Sequence, residues 1–499
     1  NKQKMVNGVI SQLVAVGALD AYLSENASHT HWRSVYKRHT RFACESVTQP
    51  FNTNVAYGGE SQATLNRVGD LIHYLYLAVQ LPGLVACQLG EEGCSGIVTG
   101  GQFPSYMDSS CAPCARNDEA AIVDFLDDTF DDADSNTKGE LIRLAKDKWA
   151  KQHYGAGASL DCCAEQEDCP DIVCPELGNV WCHYTNDVGH FLVKSCRLVI
   201  GGQTVDTLVG DFLYCWEELT GKSGRRLTEL CGRRYTRSHL VCDSREDRQL
   251  FVPLPFWFTL ATGAALSLAS LAYHGVQIWV EFERLEKLIV VSSDKVQVKK
   301  AKENCCLGNS DLRASLEITY VFLDNAERDK FAQNHFEQLV VQNQAFYQVV
   351  NSSQVRLNLT FNHPCLELIW FVRRQCQERC NNWGNLSGVD NRDPLVSAQL
   401  MLNSQSRWGQ KGPTYFRCLQ PYQHHSNIPD SFVYVYSFAM DAENSTSPTG
   451  SCNMSRIDHV ELILELQESL SRETCTVAVM ARNFNILRFR EGVAGLAYN

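Results

Sequence analysis

The chain has 499 residues, 44% apolar and 20% charged, which excludes a disordered polymer and leaves room for more than one buried core. A formal net charge of −12 argues against a nucleic-acid coat, because phosphate neutralisation requires concentrated lysine and arginine.

The opening segment "NKQKMVNGVISQLVAVGALDAY" sets Lys2 and Lys4 before a short apolar run interrupted by Ser11, Gln12 and Asp20. It reads as an amphipathic arm that packs on a partner rather than as a secretory signal. Between "LAVQLP" (77–82) and "YTNDVGH" (184–190) stands a long segment with two helical stretches, "EAAIVDFLDDTF" and "KGELIRLAKDKWAKQHY". The acidic run joining them, "DDTFDDADSNTKGE", alternates Asp132, Asp134 and Asn136 but has Thr137 where a calcium loop needs glycine and Arg143 at its twelfth position, so it reads as a solvated connection.

Of 22 cysteines, Cys87, Cys94, Cys111, Cys114, Cys162, Cys163, Cys169, Cys174 and Cys182 fall in or beside this segment. A segment with so small a core gains from cross-links, which favours disulfides. The Cys111-x-x-Cys114 pair with two of Cys162, Cys163 and Cys169 leaves a zinc site open, and free buried thiols are the third reading.

Helical spacing over 204–221 stops at Gly221. "GRRLTELCGRRYTRSHLVCDSREDR" (224–248) repeats arginine but interleaves Glu229, Asp243, Glu246 and Asp247, the pattern of ion pairs rather than of a phosphate-binding patch. "VPLPFWFTLATGAALSLASLAYH" (252–274) carries no charge and has the length of a membrane helix. Pro253, Pro255 and its hydroxyl residues instead favour two short buried strands joined by a turn near Thr262 and Gly263.

Period-two alternation follows. Val276, Ile278, Val280 and Phe282 share one face, as do Leu316, Ile318, Tyr320 and Phe322; then Leu357, Leu359 and Phe361; then Val460, Leu462, Leu464 and Leu466. Strands of this kind separated by Gly, Pro and Asn turns indicate antiparallel sandwiches. A second helical spacing covers 325–344, and the basic connector "KVQVKKAKENCCLGNS" precedes the second half.

No GxSxG, HExxH or P-loop occurs, and His29, His31, His424 and His425 lack the glycine and glutamate spacing of a cupin metal site. They read as loop or interface histidines, so no catalytic residue, cofactor or metal is assigned. Glycosylation sequons stand at Asn26, Asn351, Asn358, Asn385, Asn444 and Asn453.

Nine segments, in order, resemble the major capsid protein of nucleocytoplasmic large DNA viruses: "QLVAVGALDAYL", "VYKRHTRFACESV", "RVGDLIHYLYLAVQLP", "YTNDVGHFLVKSCRLVIGGQTVDT", "LFVPLPFWF", "YVFLDNAERDKFAQ", "FNHPCLELIW", "YVYSFAMDAENSTSPTGSCNMSRID" and "RNFNILRFREGVAGLAYN". The resemblance implies an all-β chain of two tandem eight-stranded jelly rolls with short helices in loops. The expected division is an arm at 1–27, a first jelly roll at 28–303 with a Cys-rich, helix-containing insertion at about 85–180, a linker at 304–311 and a second jelly roll at 312–499.

The function implied is structural. Homotrimeric, pseudo-hexagonal capsomers would tile the outer shell of an icosahedral virion assembled in the host cytoplasm. Partners would be sister copies, neighbouring capsomers, minor capsid and penton proteins and a host receptor or glycan, with no direct nucleic acid and no transmembrane segment. A glycan-binding attachment protein and a minor capsid or penton component are the alternatives.

Overall fold

The computed structural model describes residues 32, 36–88, 181–221, 227–234, 237–292, 296–301 and 307–498. Sixteen strands carry the architecture. The first eight are β1 (Phe42–Pro50), β2 (Glu60–Thr64), β3 (Leu71–Leu81), β4 (Val193–Ile200), β5 (Gln203–Val209), β6 (Arg248–Pro253), β7 (Val276–Phe282) and β8 (Arg313–Leu323). They form one sheet in the order β1-β8-β3-β6 and a second in the order β2-β7-β4-β5.

The next eight are β9 (Phe336–Val350), β10 (Gln354–Asn358), β11 (Pro364–Arg374), β12 (Leu395–Leu402), β13 (Gln405–Lys411), β14 (Tyr434–Ser437), β15 (Val460–Leu466) and β16 (Cys475–Arg490). Their sheets run β9-β16-β11-β14 and β10-β15-β12-β13. Adding eight to each label of the first pair of sheets gives the second pair. This repeated order is the jelly-roll arrangement, present twice.

Alternation places the expected faces inward. β7 buries Val276, Ile278, Val280 and Phe282 and leaves the residues between them half-exposed, and β15 does the same with Val460, Leu462, Leu464 and Leu466. Strand β11 is different, being buried along nearly its whole length. Leu366, Ile369 and Phe371 join the larger core, which includes the first sandwich; Cys365, Leu368, Trp370 and Val372 join the core of the second. A register shift between Cys365 and Glu367 in the pairing of β11 with β16 accounts for the change of parity, since an extra residue exchanges the two faces of a strand. The middle of this sheet, β11 with the buried run of β16, is therefore a wall dry on both sides, while β9 at its edge keeps Glu337, Ala345, Tyr347 and Val349 exposed.

Four expectations need correction. The strand 313–323, expected to open the second sandwich, pairs with β3 and lies between β1 and β3, so it closes the first. Its alternation said it was a strand, but partner choice is a long-range property that no local pattern carries. Residues 204–209 extend β5, and the helix α2 (Gly210–Thr220) begins only at Gly210 (α1, Val188–Leu192, precedes it). A Cβ at Gly210 would sit 2.5 Å from the Val193 carbonyl oxygen and 2.6 Å from that of His190, so the chain turns there only with glycine. Helix α3 (Asn325–Gln333) takes only the first part of 325–344; the β-branched run Val340, Val341, Val349 and Val350 draws the rest into β9.

The apolar stretch 252–274 is sheet core, with Leu254, Phe256, Trp257 and Phe258 fully buried. It forms the end of β6, a short helix Trp257–Leu260, a 3-10 turn Thr262–Ala264 and a two-residue strand Leu266–Ser267 rather than two strands. No helix among the described residues is long and apolar enough to cross a membrane.

Candidate functional site: the seam between the sandwiches

Helix α2 follows β5 without a loop and buries Phe212, Leu213, Tyr214, Cys215, Trp216 and Leu219. Two of its acidic residues, Asp211 and Glu218, reach the second sandwich. Asp211 accepts from Arg373 Nη2 at 2.6 Å and from the Tyr347 hydroxyl at 3.2 Å. The Arg373 guanidinium, almost fully buried, lies 4.7 Å from the Phe371 ring centre and 5.4 Å from that of Trp383. Burial opposes its charge, and Asp211 raises its pKa over that opposition.

A second cluster sits one turn along. Glu367 accepts from Arg482 Nη1 at 2.8 Å and pairs with His425 Nε2 at 2.7 Å, with all three side chains essentially out of solvent. The Arg482 guanidinium also donates to the Ala442 carbonyl at 2.8 Å and stacks 4.0 Å from the Trp216 ring of α2. Burial alone would lower the His425 pKa; the Glu367 carboxylate raises it to about 9, so the ring is held protonated.

Asp206 of β5 accepts from the Asn343 backbone N–H at 2.8 Å, and burial pushes its carboxyl up to about 7. Asn381, buried and at φ 53°, donates to the carbonyls of Glu286 at 2.6 Å and Ile289 at 2.8 Å, while its own carbonyl accepts from the Thr185 hydroxyl at 2.5 Å. These contacts orient one sandwich on the other. Buried ion pairs add little net stability against a hydrophobic alternative, yet removing one partner is costly, so they act as alignment devices.

A third cluster lies on the first sandwich. Asp187 stands at the N-cap position of α1 without a side-chain cap bond, and its Oδ1 accepts from Arg233 Nε at 2.7 Å and from the Cys231 thiol at 3.1 Å. Arg233 Nη1 donates to Glu218 of α2 at 2.6 Å, and Glu218 accepts from the Ser431 hydroxyl at 3.2 Å. His190 stands beside Asp187 and Cys231, and its donor atoms, theirs and no others in the described residues form a group able to hold a metal ion. Burial pushes the His190 ring down to about 4 and the Cys231 thiol well above its ordinary range.

The residues singled out from sequence fare unevenly. Cys94, Cys111, Cys114, Cys162, Cys163, Cys169, Cys174, Asn26, His29 and His31 lie outside the described residues, as do the two helical stretches of the insertion and its acidic run. Cys182 is a buried free thiol in the short strand Cys182–Tyr184, its pKa pushed up to about 12 by burial. Asn351, Asn358 and Asn453 are exposed. Asn385 and Asn444 turn Oδ1 inward to their own sequon hydroxyls, accepting from Ser387 Oγ at 2.7 Å and Thr446 Oγ1 at 3.0 Å. His424 faces the Met440 carbonyl at 3.0 Å, whereas His425 belongs to the ion cluster. Among the described arginines of 224–248, three form ion pairs within the chain, Arg233 with Asp187 and Glu218, and Arg234 and Arg248 with Asp243.

The seam residues were not found from sequence because the partners are far apart, as with Asp211 and Arg373. One signal was there: Glu367 and Arg482 are charges set inside the apolar runs "PCLELIWFV" and "VAVMARNF".

A family model described as "Major capsid protein N-terminus" matches residues 30–94 and 169–324, and one described as "Large eukaryotic DNA virus major capsid protein" matches 327–495. The major capsid protein of Pyramimonas orientalis virus is 31% identical over 99% of this chain and 100% of that protein. The chain belongs to the major capsid protein family of large eukaryotic DNA viruses. The major capsid protein of Paramecium bursaria Chlorella virus 1 is 25% identical over 98% of this chain and 99% of that protein. In fold, the chain is similar to the quasi-atomic model of the PBCV-1 capsid, with TM-score 0.63 and 22% identity over 94% of this chain and 100% of that one. It is also similar to the Faustovirus major capsid protein, with TM-score 0.59 and 12% identity over 95% of this chain and 94% of that one. This capsid protein is structural, as its relatives are, and is not an enzyme. The gap in the first match, 95–168, falls within the segment read from sequence as an insertion.

Proposed function

We propose that the chain is the repeating tile of an outer virion shell, associating as a homotrimer with six nearly equivalent lobes. The observation that carries this reading is the doubled sheet order: two sandwiches of the same topology in one polypeptide, repeated around a threefold axis, approximate sixfold symmetry and pack as hexagons. The domains divide in this reading at 324–335, after β8, with α3 as the connection. The join between the two family matches, after 324 and before 327, supports that division.

A tile must be stiff in itself and adhesive at its flanks. The two-sided wall and the ion clusters supply stiffness. Tyr273, Val349, Tyr422 and Met440 are among the exposed large apolar side chains, and in this reading contacts between copies cover them. An obligate interface of this class buries more than about 2,000 Å² in total. Minor capsid and penton proteins and a host receptor or glycan complete the partner set, assembly takes place in the host cytoplasm, and cysteines of the insertion cross-link it. Electron cryomicroscopy of particles bearing this chain tests the reading: six-lobed capsomers containing three copies are expected, and capsomers of any other copy number would refute it.

A further inference from the structure

We propose that Asp187, His190 and Cys231 form a buried zinc site that fastens helix α1 to the loop 227–234. Three elements of local structure bring the ligands together. Asp187, at φ 54°, is the N-cap of α1, and its carbonyl accepts the His190 N–H at 2.9 Å, so the two side chains leave neighbouring positions of one turn. The Gly189 N–H donates to the Cys231 carbonyl at 2.8 Å, which holds the loop against that turn. A Cβ at Gly189 would lie 2.9 Å from the Cys231 Cα, so only glycine lets the two segments approach this closely.

The donor atoms of the three residues all lie within 4.8 Å of one another, and the residues are only 3%, 2% and 0% exposed. Carboxylate, imidazole and thiolate are the ligand types zinc selects, with bonds of roughly 2.0 to 2.3 Å. The structure also leaves a donor atom in need of a partner: His190 Nδ1 is buried without a hydrogen bond. An unsatisfied buried polar atom calls for a physical explanation, and a metal bond provides one.

Charge balance points the same way. With a neutral imidazole and a protonated thiol, Asp187, Glu218 and Arg233 leave the buried cluster one negative charge in excess. On binding, the Cys231 S–H bond breaks, a Zn–S bond forms and the proton leaves to solvent. Two positive charges arrive and one departs, so the cluster becomes neutral. Arg233 Nε on Asp187 Oδ1, at 2.7 Å, then orients the carboxylate from behind as outer partners of metal ligands do.

The competing account is a plain thiol-to-carboxylate hydrogen bond with no ion. Full-length protein purified from zinc-supplemented cells, its Cys231→Ser variant and its His190→Gln variant are compared by elemental mass spectrometry. Because other cysteines of the chain can hold metal, the difference between proteins is the readout. The wild type is expected to carry one more zinc per chain than either variant, and cobalt substitution is expected to give a thiolate charge-transfer band that Cys231→Ser weakens. Equal zinc contents in folded wild type and Cys231→Ser would overturn the site. Should the variants not fold, wild-type crystals grown with zinc and measured on both sides of the zinc absorption edge decide: an anomalous peak among the three donor atoms is expected, and its absence overturns the site.

Discussion

The two sandwiches share a sheet order but not a style of construction. Between β3 and β4 the first carries more than a hundred residues, including the span 95–168 that its family match omits, whereas between β11 and β12 the second passes from Arg374 to Leu395. The first sandwich contributes α2, Asp206, Asp211 and Trp216 to the seam; the second answers with β11, a strand buried on both faces. The difference teaches that the repeated topology fixes the frame, and that specialisation enters where a loop can grow or a face can be covered without changing strand order.

The sharpest way to break this comparison is through the wall. Phe371 faces the larger core and Trp370 that of the second sandwich. Each, replaced by alanine, is expected to cost about 3 to 5 kcal/mol in chemical denaturation. A cost for Phe371→Ala well under ~1 kcal/mol would mean that the wall has only one packed face.

Next is the alignment pair. Asp211→Ala strands the Arg373 charge in the seam and is expected to lose about 3 to 5 kcal/mol, while the double change Asp211→Ala with Arg373→Met recovers most of it. No recovery in the double-mutant cycle would show that the pair is not coupled.

Histidines should then set the two sandwiches apart by pH. His183 of the first is buried, and burial lowers it to about 4 from 6.5, so it is folded as the neutral ring. Its contribution is present above pH 6.5 and is lost as pH falls toward 4, amounting at most to about 3 kcal/mol. His425 of the second is raised by Glu367 to about 9; its contribution is full below 6.5 and is lost as pH rises through 9. Denaturation midpoints across pH should show that His183→Asn flattens the acid limb and His425→Asn the alkaline one. The reverse assignment would contradict the electrostatics of both sites.

The smallest effect belongs to the surface. Lys194→Ala breaks the 2.6 Å pair with Glu281, whose partners are both well exposed, and solvent screening limits the loss to ~0.5 kcal/mol by the same denaturation.

Much of the frame was legible in the sequence because a sandwich strand with one wet face writes its burial as alternation, as in 276–282 and 460–466. What was not legible has a common cause. β8 shows the right pattern but not its partner β3, and β11 hides its alternation because both of its faces are dry. The seam and the Asp187 cluster join side chains from different strands and loops, such as Glu367 with Arg482, and no local spacing encodes such encounters. Even so, a glutamate within "PCLELIWFV" was a readable anomaly, since a buried charge demands a partner.

The account rests on doubled sandwiches that associate through their flanks, and the native mass of the purified chain tests it most directly. Native mass spectrometry at micromolar concentration should give three times the 56.1 kDa chain mass, with no stable monomer. A persistent monomer, or a dimer, would contradict it.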